Sequence, residues 1–229
     1  MVDLFIPRVF LKTAYYWSRT FRKTEIEIIP LKQQWAQMVL SSMGFKIHIF
    51  GKPPQQGPII LVGNHISYMD IPLALAVAPE ARFIAKREVS RWPIVGGAAT
   101  TVGTIFVERE SGKDRSAVRR AVAKALNDHN ATIIVFPSGT TTLDEQIAWK
   151  KGIFEIAKDL GIPIKLFKID YQPLRETAYI DDDQLLLQMS KLRKYKNKVA
   201  HFTWLEQTDF IENPAETAEQ LRRQVARQS

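Results

Sequence analysis

The residues best equipped for chemistry lie in Gly63-Asn64-His65-Ile66-Ser67-Tyr68-Met69-Asp70, where an imidazole and a carboxylate stand five positions apart. On an α-helix that spacing separates two side chains by about 140°, so one face could not carry both. In a loop leading from a strand into a helix, the carboxylate can fold back onto one ring nitrogen. It then fixes the tautomer and leaves the other nitrogen free as a general base toward a hydroxyl. Two plainer roles compete: Asp70 as the N-cap of a helix beginning at Ile71, and His65 as an exposed loop residue.

Two further strand ends offer suitable groups. Gly103-Thr104-Ile105-Phe106-Val107-Glu108-Arg109 would deliver Arg109 where a sheet presents side chains to a ligand, and a guanidinium suits phosphate. The competing role is a surface arginine paired with Glu108 or Glu110, with Gly103 merely opening the strand. In Phe136-Pro137-Ser138-Gly139-Thr140-Thr141-Thr142, Pro137 ends a strand and Gly139 permits a tight turn whose N–H groups could face an oxyanion or phosphate. A polar connecting loop is the plainer reading.

These loops need a scaffold. Alternation at Phe45, Ile47 and Ile49, and apolar runs at 58–62, 82–85, 103–107, 132–136, 163–169 and 201–204, predict strands. Helices are expected at 71–78, up to Gly96-Gly97, at 115–126 and at 152–160, the last closed by Gly161. Asn213-Pro214 caps a C-terminal helix. Strands separated by helices of this length give an α/β fold with a central mixed, largely parallel sheet, whose ligand sites form at the C-terminal strand ends.

The first 44 residues read differently, as an amphipathic interfacial helix pair ahead of an α/β domain spanning 45–229. At about 100° per residue, Arg8, Lys12, Arg19, Arg22 and Lys23 fall on one arc of residues 6–23. Ile6, Val9, Phe10, Ala14, Trp17 and Phe21 gather opposite. A second apolar segment starts after Pro30, with Leu31, Trp35, Met38 and Val39, and stops at Gly44. Residues 1–50 hold seven Lys or Arg and three acids, half of the net +8 of the chain. Aromatic and long basic residues together suit a headgroup boundary, so docking on an anionic membrane surface is expected over simple packing on the core.

Composition narrows the remainder. The 229 residues hold no cysteine, which removes disulfides, thiolate catalysis and cysteine-bound zinc. Histidines 48, 65, 129 and 201 lack metal-ligand spacing, so no metal is expected. Asp181-Asp182-Asp183 reads as helix-starting acids, and Lys191, Arg193, Lys194, Lys196 and Lys198 as a solvated basic face or a docking patch for an acyl carrier. No nucleic-acid signature accompanies the charge, and no run of about 18 apolar residues could span a bilayer.

Together the blocks resemble the lysophosphatidic acid acyltransferase (1-acyl-sn-glycerol-3-phosphate acyltransferase, PlsC-like) family across roughly residues 30–175. The Asn-His-x4-Asp block is met by Asn64, His65 and Asp70, and Gly-x-x-Phe-Ile/Val-x-Arg by Gly103, Phe106, Val107 and Arg109. Ala85-Lys86-Arg87-Glu88 and Trp92-Pro93 to Gly96 look like the linking segment. The resemblance implies His65 as general base oriented by Asp70, and Arg109 with Lys86 on the acceptor phosphate. Asn64, Gly103, Phe106, Ser138, Gly139 and Thr140 would complete substrate binding. It also implies a monotopic enzyme on the cytoplasmic face of a membrane, with acyl-CoA or acyl carrier protein as donor substrate, a lysolipid acceptor and no cofactor.

Two blocks depart from the family. Ser138 and Thr141 stand where Phe-Pro-Glu-Gly-Thr-Arg-Ser has its Glu and Arg, and Ile162-Pro163-Ile164-Lys165-Leu166 lacks the second proline of the fourth block. The expected acceptor is 1-acylglycerol-3-phosphate, with a lyso-aminolipid as the alternative that those losses open. A lipid esterase or thioesterase using Ser138, His65 and Asp70, and a non-catalytic membrane lipid-binding protein, are the other readings; the first lacks a Gly-x-Ser-x-Gly elbow.

Overall fold

The protein is described by a computed structural model over residues 5–55, 57–107, 114–129, 131–180 and 183–227. Two helices open it, α1 (Phe5–Ser18) and α2 (Glu25–Ser42), followed by β1 (Phe45–Phe50), β2 (Ile59–Gly63) and α3 (Asp70–Val77). Then come β3 (Arg82–Lys86), a 3-10 turn at Arg87–Arg91, α4 (Val95–Thr101), β4 (Ile105–Val107), α5 (Asp114–His129) and β5 (Thr132–Val135). The chain continues through α6 (Gly152–Leu160), β6 (Ile164–Gln172), α7 (Leu174–Thr177), α8 (Leu185–Lys194), β7 (Lys198–Thr208) and α9 (Pro214–Arg227).

The strands form one seven-stranded sheet ordered β1-β7-β6-β2-β5-β3-β4. Every neighbouring pair is parallel except β6 with β7. The mixed, largely parallel α/β architecture is thus the one that the strand–helix alternation predicts. β2 is apolar at every position before Gly63 and buried throughout, because both faces of the sheet are covered. Leu61, Ile134, Phe167 and Phe202 pack with α2 and α3 on one face. Ile60, Val62, Ile133 and Leu166 pack with α6 and α9 on the other.

Several elements differ from the sequence reading. α2 begins at Glu25, not after Pro30: Thr24 and Glu27 form a reciprocal capping box, and Pro30 lies inside the helix. Gly96 and Gly97 do not end a helix but sit within α4, where a Cβ on Gly96 would meet the Ser90 carbonyl oxygen at 2.1 Å and one on Gly97 the Trp17 ring at 2.4 Å. That contact sets one member of the wheel's apolar side against α4. The apolar side of α1 is largely turned inward, with Val9 buried, Trp17 on Gly97 and its indole N–H donating to Thr101 Oγ1 at 3.1 Å. What α1 and the following turn expose is a mixture of Leu11, Tyr15 and Phe21 with Arg8, Lys12 and Arg19. Buried Lys32 on α2 fastens this layer to the domain by donating to the Ala81 carbonyl at 2.6 Å, and burial draws its amine down to about 8.

Candidate active site

β2, β5, β3 and β4 are adjacent and parallel, so their C-terminal ends share one edge of the sheet. The three segments singled out in the sequence leave that edge, about 5 Å apart from strand to strand. The loop after β2 carries His65, the loop after β5 carries Ser138 to Thr142, Lys86 ends β3 and Val107 ends β4. Gly63 closes β2 because the Phe167 ring lies where its Cβ would be, at 2.3 Å.

The chain then turns on Asn64. Its amide donates to the Ile169 carbonyl at 2.7 Å and accepts from the Ile169 N–H at 2.8 Å, so a buried side chain clamps the loop to β6. Both ends of the amide serve the fold, a task different from the substrate contact expected of it. The loop is held further by Ser67 Oγ donating to the Thr177 carbonyl at 2.6 Å and Tyr179 N–H donating to the Ile66 carbonyl at 2.9 Å. Thr142 N–H donates to the His65 carbonyl at 2.8 Å, which seats the β5 loop directly on the histidine.

Asp70 is fully buried. Its Oδ2 lies 2.6 Å from His65 Nδ1 and accepts the Ile66 and Ser67 N–H groups at 2.7 and 3.0 Å. Its Oδ1 accepts the Tyr171 hydroxyl at 2.7 Å. Asp70 is therefore not the N-cap: it is the first residue of α3, and its carboxylate points back over the preceding turn. Burial and the neighbouring Asp70 push the Tyr171 phenol well above its ordinary range, which keeps it a donor. The His65 ring stacks on Phe136 with centroids 4.3 Å apart and planes 12° from parallel. With Nδ1 held by the carboxylate, no hydrogen bond among the described residues engages Nε2, and the side chain is 20% exposed. An imidazole held in this way can take a proton at Nε2 while the carboxylate steadies the charge that forms.

The other expected residues fall as follows. Ser138 is buried and its hydroxyl donates to the Thr140 carbonyl at 2.8 Å; no hydrogen bond joins it to His65, so the nucleophile triad is not assembled. Gly139 adopts the positive φ of 74° that its turn requires, and Thr140 is exposed beside it. Thr141 donates through its hydroxyl to the Tyr179 carbonyl. Lys86 is exposed, registered beside Val107, with Phe106 half-buried. Gly103 has a φ of 79° and forms the turn before β4 instead of opening the strand. Arg109 lies outside the described residues. Among the described residues no group of three or more His, Asp or Glu could hold a metal ion.

The sequence did not single out Tyr171, Glu145 or Trp149, and it placed Phe136 only as the end of a strand and not under the His65 ring. Glu145 is buried in the loop after β5, accepts the Trp149 indole N–H at 2.7 Å, and is held by that burial at about 7. Only the β-strand pattern that aims alternate residues inward could have hinted at Tyr171, and it does not say toward what.

The acyltransferase family model matches residues 44–165, just over half of the chain. The lyso-ornithine lipid O-acyltransferase of Pseudomonas aeruginosa is 31% identical over 205 residues, covering 86% of this chain and 78% of that one. The 1-acyl-sn-glycerol-3-phosphate acyltransferase of Neisseria meningitidis is 29% identical over 136 residues, 58% of this chain and 52% of its own. The crystal structure of the 1-acyl-sn-glycerophosphate acyltransferase PlsC of Thermotoga maritima superposes with a TM-score of 0.73 at 18% identity, over 98% of this chain and 90% of that one. The chain belongs to the PlsC-like acyltransferase family and is an O-acyltransferase of the lysolipid type.

Proposed function

We propose that this protein moves a fatty-acyl group from acyl-CoA or acyl carrier protein to the free hydroxyl of a lysolipid with an amino-acid headgroup of the ornithine type. The observation that carries the transfer chemistry is the His65 Nδ1 to Asp70 Oδ2 contact of 2.6 Å at the shared strand ends. His65 Nε2 takes the proton of the acceptor hydroxyl as its oxygen attacks the thioester carbonyl. Collapse of the tetrahedral intermediate expels the thiolate, which recovers that proton from the imidazolium. Asp70 keeps the tautomer and steadies the imidazolium, and no covalent enzyme intermediate is needed.

Two facts favour the amino-acid headgroup over glycerol phosphate. The more extensive match, over 86% of the chain, is to a lyso-ornithine lipid O-acyltransferase. Ser138 and Thr141 also replace the Glu and Arg of the third block, removing two strong polar contacts worth about 1.5–3 kcal/mol each. The glycerol phosphate reading keeps Gly103, Phe106 and Arg109 of the second block in its favour. We further propose peripheral docking, supported by the exposed Leu11, Tyr15 and Phe21 beside Arg8, Lys12 and Arg19; no described helix is long and apolar enough to cross a membrane.

Thiol release from acyl-CoA and from acyl carrier protein, measured with a panel of lysolipids beside His65→Ala, tests the assignment. Release requiring lyso-ornithine lipid and lost in the variant supports it. Release with lysophosphatidic acid alone overturns the headgroup, and release unchanged in His65→Ala overturns the mechanism.

A further inference from the structure

Helix α8 has the pattern of an amphipathic helix with an anomalous outer face. Gln188, Met189 and Leu192 turn inward, with Leu185 half-buried beside them on the same stripe. The outer face should be polar, yet Leu186 and Leu187 are 53% and 51% exposed. Leu187, Lys191 and Lys194 form one exposed stripe, four and then three residues apart, and Tyr195 and Lys196 follow, also exposed. α8 lies against α1, where the Arg193 guanidinium sits 4.8 Å from the centroid of the Phe5 ring. α1 in turn exposes Leu11 and Tyr15 beside Arg8 and Lys12.

We propose that the outer face of α8 is a bilayer-contact surface for anionic lipid, extending the membrane-facing side of the protein beyond its N-terminal helices. The proposal rests on the reading that the acceptor is a membrane lipid. Leucines seat in the acyl boundary, while lysines on long stems reach the headgroup charge. An acidic acyl carrier protein would also meet the lysines, but two adjacent leucines more than half exposed fit hydrocarbon better.

The position of α8 gives the contact a purpose. Gln188 Nε2 donates to the carbonyls of Glu176 and Ala178, both at 2.8 Å. The same short segment holds the catalytic loop, through the Thr177 carbonyl to Ser67 and the Tyr179 N–H to Ile66. A bilayer held at α8 is therefore one hydrogen-bonded segment away from the loop that carries His65.

The test is sedimentation of the full chain with phosphatidylcholine vesicles, with and without phosphatidylglycerol. Wild type is compared with Lys191→Gln/Lys194→Gln and with Leu186→Ser/Leu187→Ser, after melting curves establish that both variants are folded. The expected result is binding that depends on phosphatidylglycerol. It falls roughly fivefold for each lysine neutralised and about tenfold or more for the serine pair. Thiol release with acceptor in detergent micelles stays at the wild-type rate, whereas release with acceptor in vesicles falls with binding. Wild-type binding in either variant, or no vesicle binding by wild type, overturns the proposal. So does a lysine variant that keeps vesicles but loses soluble acyl carrier protein. Binding as expected with no thiol release from any lysolipid would uphold the surface and refute the acyltransfer reading.

Discussion

Replacing Asp70 with Asn separates the charge of the carboxylate from its shape. Asp70 faces four groups: His65 Nδ1, the Ile66 and Ser67 N–H groups on Oδ2, and the Tyr171 hydroxyl on Oδ1. An asparagine amide can place its oxygen at the Oδ2 position and keep the first three contacts. Its NH2 then faces Tyr171, whose hydroxyl oxygen can accept instead of donate. The loop is retained, so the change removes mainly the negative charge beside the imidazolium of the transition state. A hydrogen bond to a charged group is worth about 1.5–3 kcal/mol against about 0.5–1.5 for a neutral one. Unit charges about 4 Å apart interact by up to about 4 kcal/mol at an effective dielectric near 20. At about 1.4 kcal/mol per tenfold, the expected loss in kcat lies between about tenfold and 1000-fold. The assay is thiol release at saturating acceptor, with a urea melt beside it. Asp70→Ala serves as contrast: it strips partners from three buried donors at about 1–3 kcal/mol each and should lose the fold itself. If Asp70→Asn keeps more than about a third of wild-type kcat with an unchanged melt, the carboxylate is holding the loop and not the imidazolium.

Glu145 gives a stability prediction with a definite sign. Burial raises its carboxyl from 4.5 to about 7, opposed by the Trp149 hydrogen bond and the Arg222 charge. The folded state thus holds the proton more tightly than the unfolded one. Its contribution is full below about pH 4.5 and disappears as pH rises through about 7, a loss on the order of 3 kcal/mol. Glu145→Gln keeps an acceptor for the indole and should be more stable than wild type at pH 8 in urea unfolding, with little difference at pH 4.5. A Cβ at Gly97 would lie 2.4 Å from the Trp17 ring, so Gly97→Ala should displace Trp17 and loosen α1. Faster hydrogen exchange over residues 5–18 and a stability loss of about 1–3 kcal/mol are expected, and exchange identical to wild type would refute the docking of α1 through this contact.

What was legible in the sequence was local. His65 and Asp70 are five residues apart, and the loop that joins them is short enough for residue types alone to suggest their pairing. The α/β alternation was equally plain, since period and length decide it. Tyr171 lies 101 residues from Asp70, and the Asn64 clamp on Ile169 spans 105, so both depend on β6 pairing beside β2. No periodicity states which strands become neighbours. The start of α2 was legible in Thr24 and Glu27, yet Pro30 drew the boundary late, because a proline is tolerated here within the helix. The wheel of α1 gave an apolar stripe, of which Trp17 packs on α4 while Phe21 stays exposed. An amphipathic pattern says that one face avoids water and does not say what covers each part of it; for Trp17 the cover is α4.

The spacing of the His–Asp block has a structural reason here. Helix α3 starts at Asp70 itself, so the carboxylate is carried at the very point where the chain changes from turn to helix. From there it can reach the N–H groups of Ile66 and Ser67, which the irregular turn leaves without backbone partners, and the His65 ring in the same sweep. A capping residue would have faced forward along the helix and left the imidazole unsupported. The same charge thus satisfies the turn and orients the imidazole, and the turn is pinned on its far side by Thr177 and Tyr179. It follows that the segment between β6 and α8 positions the His65 loop as directly as β2 does. Changes there should lower turnover with no residue of the His–Asp block altered.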